Sequence, residues 1–317
     1  MSSSVVSSAR SGARRVSLRA EHPHYGEKVI IALLFIAAVI SIAVTSAIVV
    51  ALLQPLPRLF SEISIVEFFT ATEWSPGYAE PQYGVIPIVV GTLMVVVTAL
   101  SVAVPLGLLS AIYLSEYAPE RVRKTIKPIL EVLEGIPTVA VGLFAFFWLR
   151  PFIEYLTPWL PWGGLFSTGV AGIAVGLIIV PLISSVADDA MRSVPMALRE
   201  GAYALGAGKM RVALRVVVPA AFSGIIAAFV LGASRAVGET MVVLLVAGAG
   251  SPQLNFNPFD GIQTMTAYIA SRATGEIAVG SIVYDTIFAV GALLFTITLA
   301  MNMLAIRFVN RFREVYN

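Results

Sequence analysis

Six runs of apolar residues dominate the chain, near 28–53, 86–114, 128–149, 168–187, 220–247 and 281–306. A hydrocarbon core is crossed by about 20 helical residues, and each run reaches that length. Only 13% of the residues are charged, where an average soluble domain has about 25%. The expected fold is therefore an all-α membrane protein with six transmembrane helices. The second run is long for one straight span and holds Pro87, Pro105 and Gly107, so a tilt or kink is expected there. The first run, behind a polar leader of 27 residues, is too long for the apolar core of a cleaved signal peptide and reads as a retained helix.

Orientation follows from where lysine and arginine fall. The leader with Lys28 at its end, the connection between the second and third runs, the connection between the fourth and fifth, and the C-terminal end together carry 17 of the 21 basic residues. The other side has only Arg58, Arg150 and Arg272. Both termini are thus expected in the cytoplasm. Residues 1–27, rich in Ser and Arg, read as a disordered or lipid-lying tail; 311–317 read as a short C-terminal tail. There is no cysteine, so no disulfide framework or thiolate metal site, and His22 and His24 are too few for a metal site alone. No cofactor is expected.

The last basic residue, Arg235, lies inside the fifth run with Glu239, in LGASRAVGETMVVL. A charge at the centre of a spanning helix costs about 2.5 to 3.5 kcal/mol on insertion scales, so both need compensation. Four residues are one helical turn, about 6 Å along the axis, which predicts that the two side chains share a face and reach each other. Two readings account for them. One is a buried ion pair that joins helices. The other is an anion path, in which the guanidinium fork meets oxyanion oxygens while Glu239 steadies it and keeps the site weak enough to release its load.

Other charged and small residues have plainer explanations. Glu131 and Glu134, near the start of the third run, suit the membrane interface or the backbone near Pro137 better than the alternative of a gating role, and Asp285 suits a helix start beside water. Gly172 and Gly176 form a GxxxG pair, and Gly232 with Ala236 a second small pair, both expected to pack helices closely. Trp148, Trp159 and Trp162 read as interfacial anchors.

Residues 188–219 do not look like a linker. Ser193 and Pro195 suit a helix start, Leu198, Ala202 and Leu205 fall on one helical face, and Gly206 and Gly208 supply a stop. A short helix with a small apolar face suits docking into a groove of another protein. The LGAGKM segment is not a phosphate loop, because Tyr203 and Met210 stand where a Walker A motif needs Gly and Ser or Thr. Energy from ATP would have to come from a partner.

Glu200, Gly201, Ala202, then Gly206, and after nine residues Val216, Val218 and Pro219, resemble the EAA signature of bacterial ABC importer permeases. Gly201 departs from the usual Ala, and the two valines from Ile and Leu. TATEWSPGYAEPQYGVIPIVVGTL, LEGIPTVAVGLFAF and SRAVGETMVV narrow the resemblance to PstC-type permeases of phosphate importers, over roughly residues 60 to 310. The resemblance implies a type I importer permease (MetI-like) architecture. Residues 28–85 would form the first helix and an external segment, and 86–310 the permease core. It further implies a coupling helix carrying Leu198, Glu200, Gly201, Ala202, Leu205 and Gly206 that docks on an ATPase, and a phosphate path lined by Arg235, Glu239 and Thr240. The implied partners are a second permease of the PstA type, a dimer of PstB-type ATPases, an external phosphate-binding protein of the PstS type, and membrane lipid, but no nucleic acid. The chain itself would catalyse no covalent chemistry. A permease for sulfate or molybdate is the nearest alternative, although those usually continue the Arg-Ala-x-Gly-Glu run with Phe-Gly where Thr240 and Met241 stand. An ion-gradient-driven transporter would also carry intramembrane charges, but the chain lacks internal inverted repeats and has the complete loop signature.

The basic asymmetry predicts that a tag at either terminus is protected from external protease in sealed cells, while a tag inserted near Gly77 is cut. Cleavage of a terminal tag would reverse the assigned orientation.

Overall fold

The computed structural model describes residues 25–248, 253–275 and 277–312. The expected disordered leader up to His24 and residues 313–317 of the tail lie outside them. Among the described residues the regular elements are helices, with two isolated backbone bridges, Glu73 to Gln253 and Trp74 to Tyr83. In chain order they are α1 (Tyr25–Leu53), α2 (Leu56–Glu62), α3 (Ile65–Thr70), α4 (Ile86–Ile112), α5 (Glu120–Glu134), α6 (Thr138–Phe144), α7 (Arg150–Leu156) and α8 (Thr168–Arg192). There follow α9 (Met196–Ala204), α10 (Lys209–Val212), α11 (Val218–Ala220), α12 (Phe222–Gly238), α13 (Met241–Val246), α14 (Met265–Ala273) and α15 (Ile282–Phe312). Single π-helical turns at Tyr113–Tyr117, Ala145–Leu149 and Ala213–Val217 extend or join them.

Five of these stretches are long and apolar enough to cross a membrane, and a sixth arises if Lys209–Ala220 and Phe222–Gly238, bent by 72°, form one broken span. The third span starts at Thr138 rather than near 128. Residues 120–134 form a separate helix, carrying four basic residues and no fully buried one, that stops before Pro137. Proline disfavours helical backbone in the residue before it, which explains the interruption. The fifth run is also discontinuous, with a break after Gly238.

The chain divides into two compact units at Val50 and Ala51. In the first, α1 exposes its apolar side chains along its length, as a lipid-facing helix does. The second unit is built on α4 and α8. Between helices in lipid the hydrophobic effect gives little, and close backbone approach through small residues takes its place. A Cβ added at Gly172 would lie 2.6 Å from Cβ of Thr98, one at Gly176 2.7 Å from the Ala99 carbonyl oxygen, and one at Gly107 2.7 Å from Cγ2 of Ile183. Ala99, Ala103, Ala171 and Ala174 are buried beside them. Gly232 of α12 faces Ile179 and Ile183 of α8.

Ion pairs fasten the end of this unit that carries α5, α9 and α10, called below the basic end. Asp188, buried near the end of α8, takes Arg123 at 2.7 Å, Arg192 at 3.4 Å and Lys127 at 3.7 Å, and Asp189 pairs with Lys127. At the far end a second core gathers Phe68, Trp74, Val85, Met265 and Tyr268, with Trp74 edge-on to Tyr268 at 5.0 Å. The Tyr268 and Thr286 hydroxyls are 2.6 Å apart. Tyr83, in the loop before α4, has its phenol pushed up, first by burial and then by the charges of Glu62 and Glu67.

Two expectations are corrected here. Asp285 does not face water: it is 4% exposed and sits 3.6 Å from Arg58, whose guanidinium also donates to the Gly280 carbonyl. A buried carboxylate needs a paired cation, and α2 supplies one. Trp162 is no free interfacial anchor, since it packs on Phe259 at 5.0 Å, lies under Arg150 and donates to the Thr157 carbonyl, whereas Trp148 and Trp159 are exposed.

Because the α4–α8 seam leaves no room at Gly176, Gly176→Leu should overpack it at a cost of about 1 to 3 kcal/mol. A fall in melting temperature of the detergent-purified protein checks this; an unchanged melting temperature would show that the seam is looser than its geometry indicates.

Candidate functional site

Arg235 lies in the last turn of α12, 13 residues beyond Phe222, or about 20 Å along the axis at 1.5 Å per residue. The helix ends at Gly238; Glu239 is extended at φ −69°, ψ 126°, and α13 begins only at Met241. Glycine favours such an end, because it costs a helix about 1 kcal/mol relative to Ala. A break inside a span frees backbone groups that lipid cannot satisfy. Here side chains and one backbone bond satisfy them. The Thr266 hydroxyl donates to the Glu239 carbonyl at 2.8 Å, the Glu239 carboxylate accepts the Val242 N–H at 3.4 Å, and the Glu239 N–H reaches the Ala236 carbonyl at 3.3 Å. Thr240 directs its hydroxyl to the Gly238 carbonyl at 3.2 Å.

The expected one-turn pair of Arg235 with Glu239 is therefore overturned. Glu239 has left the helix and serves as an acidic cap to the start of α13. Arg235 instead binds Glu134, 101 residues away at the end of α5: Nη1 donates to the carboxylate at 3.0 Å and Nη2 to the Glu134 backbone carbonyl at 3.3 Å. The Arg235 and Glu134 side chains are 27% and 34% exposed, so the pair is partly open rather than sealed in a core. Next to it Ser234 donates to Asn302 of α15 at 2.7 Å. Glu134, read from the sequence as an interface residue, is thus the charge partner of the intramembrane arginine. Its position in the sequence held no signal for this, because the contact is made between distant helices.

The loop residues form α9. Leu198 and Leu205 are exposed, Leu205 at 90%, as are Glu200 and Gly201, and a Cβ on Gly201 would meet nothing within 4 Å. Gly206 ends the helix at φ +79°, a conformation that glycine adopts without strain. Ala202 departs from the expected outward face: it is half buried and packs on the core of the chain itself. Arg199, which the sequence did not single out, turns fully inward. Its guanidinium donates to Glu116 at 3.0 Å, to the Met191 carbonyl at 2.8 Å and to the Val194 carbonyl at 2.6 Å. One buried cation therefore clamps α9 to the ends of both α4 and α8. Among the described residues no cluster of acidic or imidazole side chains could hold a metal.

Residues 103–313 match the family model of binding-protein-dependent transport system inner membrane components. The probable ABC transporter permease protein YqgH of Bacillus subtilis is 36% identical over 285 residues, covering 90% of this chain and 89% of its own. The phosphate transport system permease protein PstC 1 of Mycobacterium tuberculosis is 34% identical over 278 residues, 78% of this chain and 82% of that one. PstC of Xylella fastidiosa is 33% identical, with 76% and 77% covered. In fold, the chain resembles a solved bacterial ABC transporter that imports alginate (TM-score 0.59, 17% identity, 88% of this chain and 96% of that one). It also resembles the inward-facing methionine transporter MetNI (TM-score 0.52, 18% identity, 73% and 95% covered).

The cross-helix pair sets a stability pattern. Removing one member of a partly buried pair strands the other, whereas removing both with apolar residues of similar size is often neutral. Glu134→Leu should thus lower the melting temperature more than Glu134→Leu with Arg235→Met. A double variant less stable than the single one would show that the two residues do not act as a pair.

Proposed function

This chain belongs to the binding-protein-dependent transport system inner membrane components, the permease subunits of ABC importers, and on that premise we propose that it is the PstC-type permease of a phosphate importer. It is a multi-pass membrane transport subunit rather than an enzyme. The observation that carries the phosphate reading is a partly exposed guanidinium held within a spanning segment, at the edge of a helix break. A permanent cation with a planar fork of donors suits an oxyanion, and a low-dielectric wall strengthens the attraction. The names of the PstC relatives from Mycobacterium and Xylella support the same substrate.

In this reading Arg235 meets phosphate, Glu239 holds the break open by capping α13 and adds a negative charge that keeps the site weak, and Thr240 lines the opening. Phosphate passes between this chain and a PstA-type permease, delivered by a PstS-type binding protein at the far end. The basic end and both termini face the cytoplasm. There a PstB-type ATPase receives α9 through Leu198, Leu205 and the flat surface at Glu200 and Gly201, with Ala202 seating the helix on its own core and Gly206 ending it. Because Arg199 ties α9 to both α4 and α8, a displacement of α9 by the ATPase carries the central helix pair with it.

Co-purification with these partners and reconstitution into vesicles tests the function. ATP should drive phosphate uptake that excess sulfate or molybdate does not suppress; suppression by either would reassign the substrate. Arg235→Met and Glu239→Gln should each assemble with the ATPase and lose uptake, and near-normal uptake by Arg235→Met would remove Arg235 from the path. Leu205→Glu places a charge at the most exposed apolar position of the α9 region and should lower ATPase recovery severalfold. Unchanged recovery would mean that α9 docks through another face.

A further inference from the structure

We propose that Glu134 is a gate for the anion: its carboxylate on Nη1 and its backbone carbonyl on Nη2 occupy donors of Arg235 that phosphate would use, and transport requires Glu134 to withdraw. The inference rests on the phosphate-permease reading and deepens it. Phosphate oxygens would seek the same two terminal nitrogens of the guanidinium fork, so Glu134 and phosphate compete for them. In this conformation Glu134 takes both terminal nitrogens, Nη1 through its side chain and Nη2 through its backbone carbonyl. With Glu239 four residues away in sequence, the three charged groups sum to one negative charge, which repels an anion rather than holding one. The conformation is therefore closed to phosphate at this point.

The surroundings of Glu134 allow it to move. It is the last residue of α5, and Gly135, Ile136 and Pro137 follow without helical structure. No residue of α5 is fully buried, so its C-terminal half is not locked into the core. The other half is fastened: Arg123 and Lys127 bind Asp188 and Asp189 near the end of α8. That same end of α8 accepts Arg199 of α9 through the Met191 carbonyl. Movement of α9 is thus transmitted through α8 to α5, and the free end of α5 carries Glu134 off Arg235. A pair about one-third exposed is weakly held, since water and salt screen it, and so it exchanges partners readily.

The test measures equilibrium binding of radiolabelled orthophosphate to the complete importer complex in lipid nanodiscs, without ATP or binding protein. Glu134→Gln should bind phosphate at least tenfold more tightly than wild type, and adding Arg235→Met should abolish that gain. Glu134→Asp, which keeps the charge but shortens its reach, should fall between the two and serves if the Gln variant assembles poorly. A purely structural role for Glu134 would lower the melting temperature without changing phosphate affinity. Equal phosphate binding by wild type and the Glu134 variants, in complexes that still show ATP-driven phosphate uptake, overturns the gate and leaves the phosphate reading standing. Absence of ATP-driven phosphate uptake in wild type overturns the phosphate reading and the gate with it.

Discussion

The close approach of α4 and α8 is the contact on which the rest of the second unit depends. In lipid, apolar side chains gain little by leaving hydrocarbon for one another, so helices stay together through dense van der Waals contact. Gly107, Gly172 and Gly176 remove the side chains that would hold the two backbones apart, and the flanking alanines let the seam close along its length. This pair gives α12 a rigid wall at Ile179 and Ile183 and gives α5 and α9 a fixed end to bind. A rigid centre with charged fasteners at one end can carry a force applied at α9 into the membrane-embedded part.

On that scaffold the irregular backbone is concentrated where the charges are. The break at Glu239 would be unfavourable in lipid, but Thr266 and the Glu239 carboxylate take up the freed groups. The interruption at 135–137 lies beside it in space, because Glu134 and Arg235 are bonded. Two non-helical segments thus meet at one ion pair. The arrangement also changes the explanation of Glu239: its capping of α13 is a structural task, while the neutralising of Arg235 falls to Glu134.

The charged pairs differ in burial, and with it in the work they do. Asp188 and the Arg199–Glu116 pair are buried and hydrogen-bonded at the basic end, where loss of one partner would strand a charge, so they act as fixed joints. At the far end Asp285 is buried too, but its partner Arg58 is 54% exposed and 3.6 Å away, a looser contact between α2 and the start of α15. In the Arg235–Glu134 pair both members are about one-third exposed, whereas Asp188, Glu116 and Arg199 are buried. That difference in exposure is the physical basis for treating one pair as exchangeable and the others as permanent.

The apolar runs by themselves determined the spans, since length and hydropathy are local properties that lipid reads directly; the small-residue pairs marked the helix seam and the EAA-like spacing marked the helix that became α9. The third span was placed some ten residues early because the amphipathic 120–134 segment and Pro137 interrupt what reads as one apolar stretch. What only the tertiary structure decided is who pairs with whom. Helical periodicity predicts neighbours three or four residues away, and it pointed Arg235 at Glu239. The actual partner is 101 residues distant, as Glu116 is 83 residues from Arg199 and Arg58 lies far in sequence from Asp285. Such pairings depend on which helices pack and at what depth, and a charge in lipid accepts whichever opposite charge the packing brings within reach.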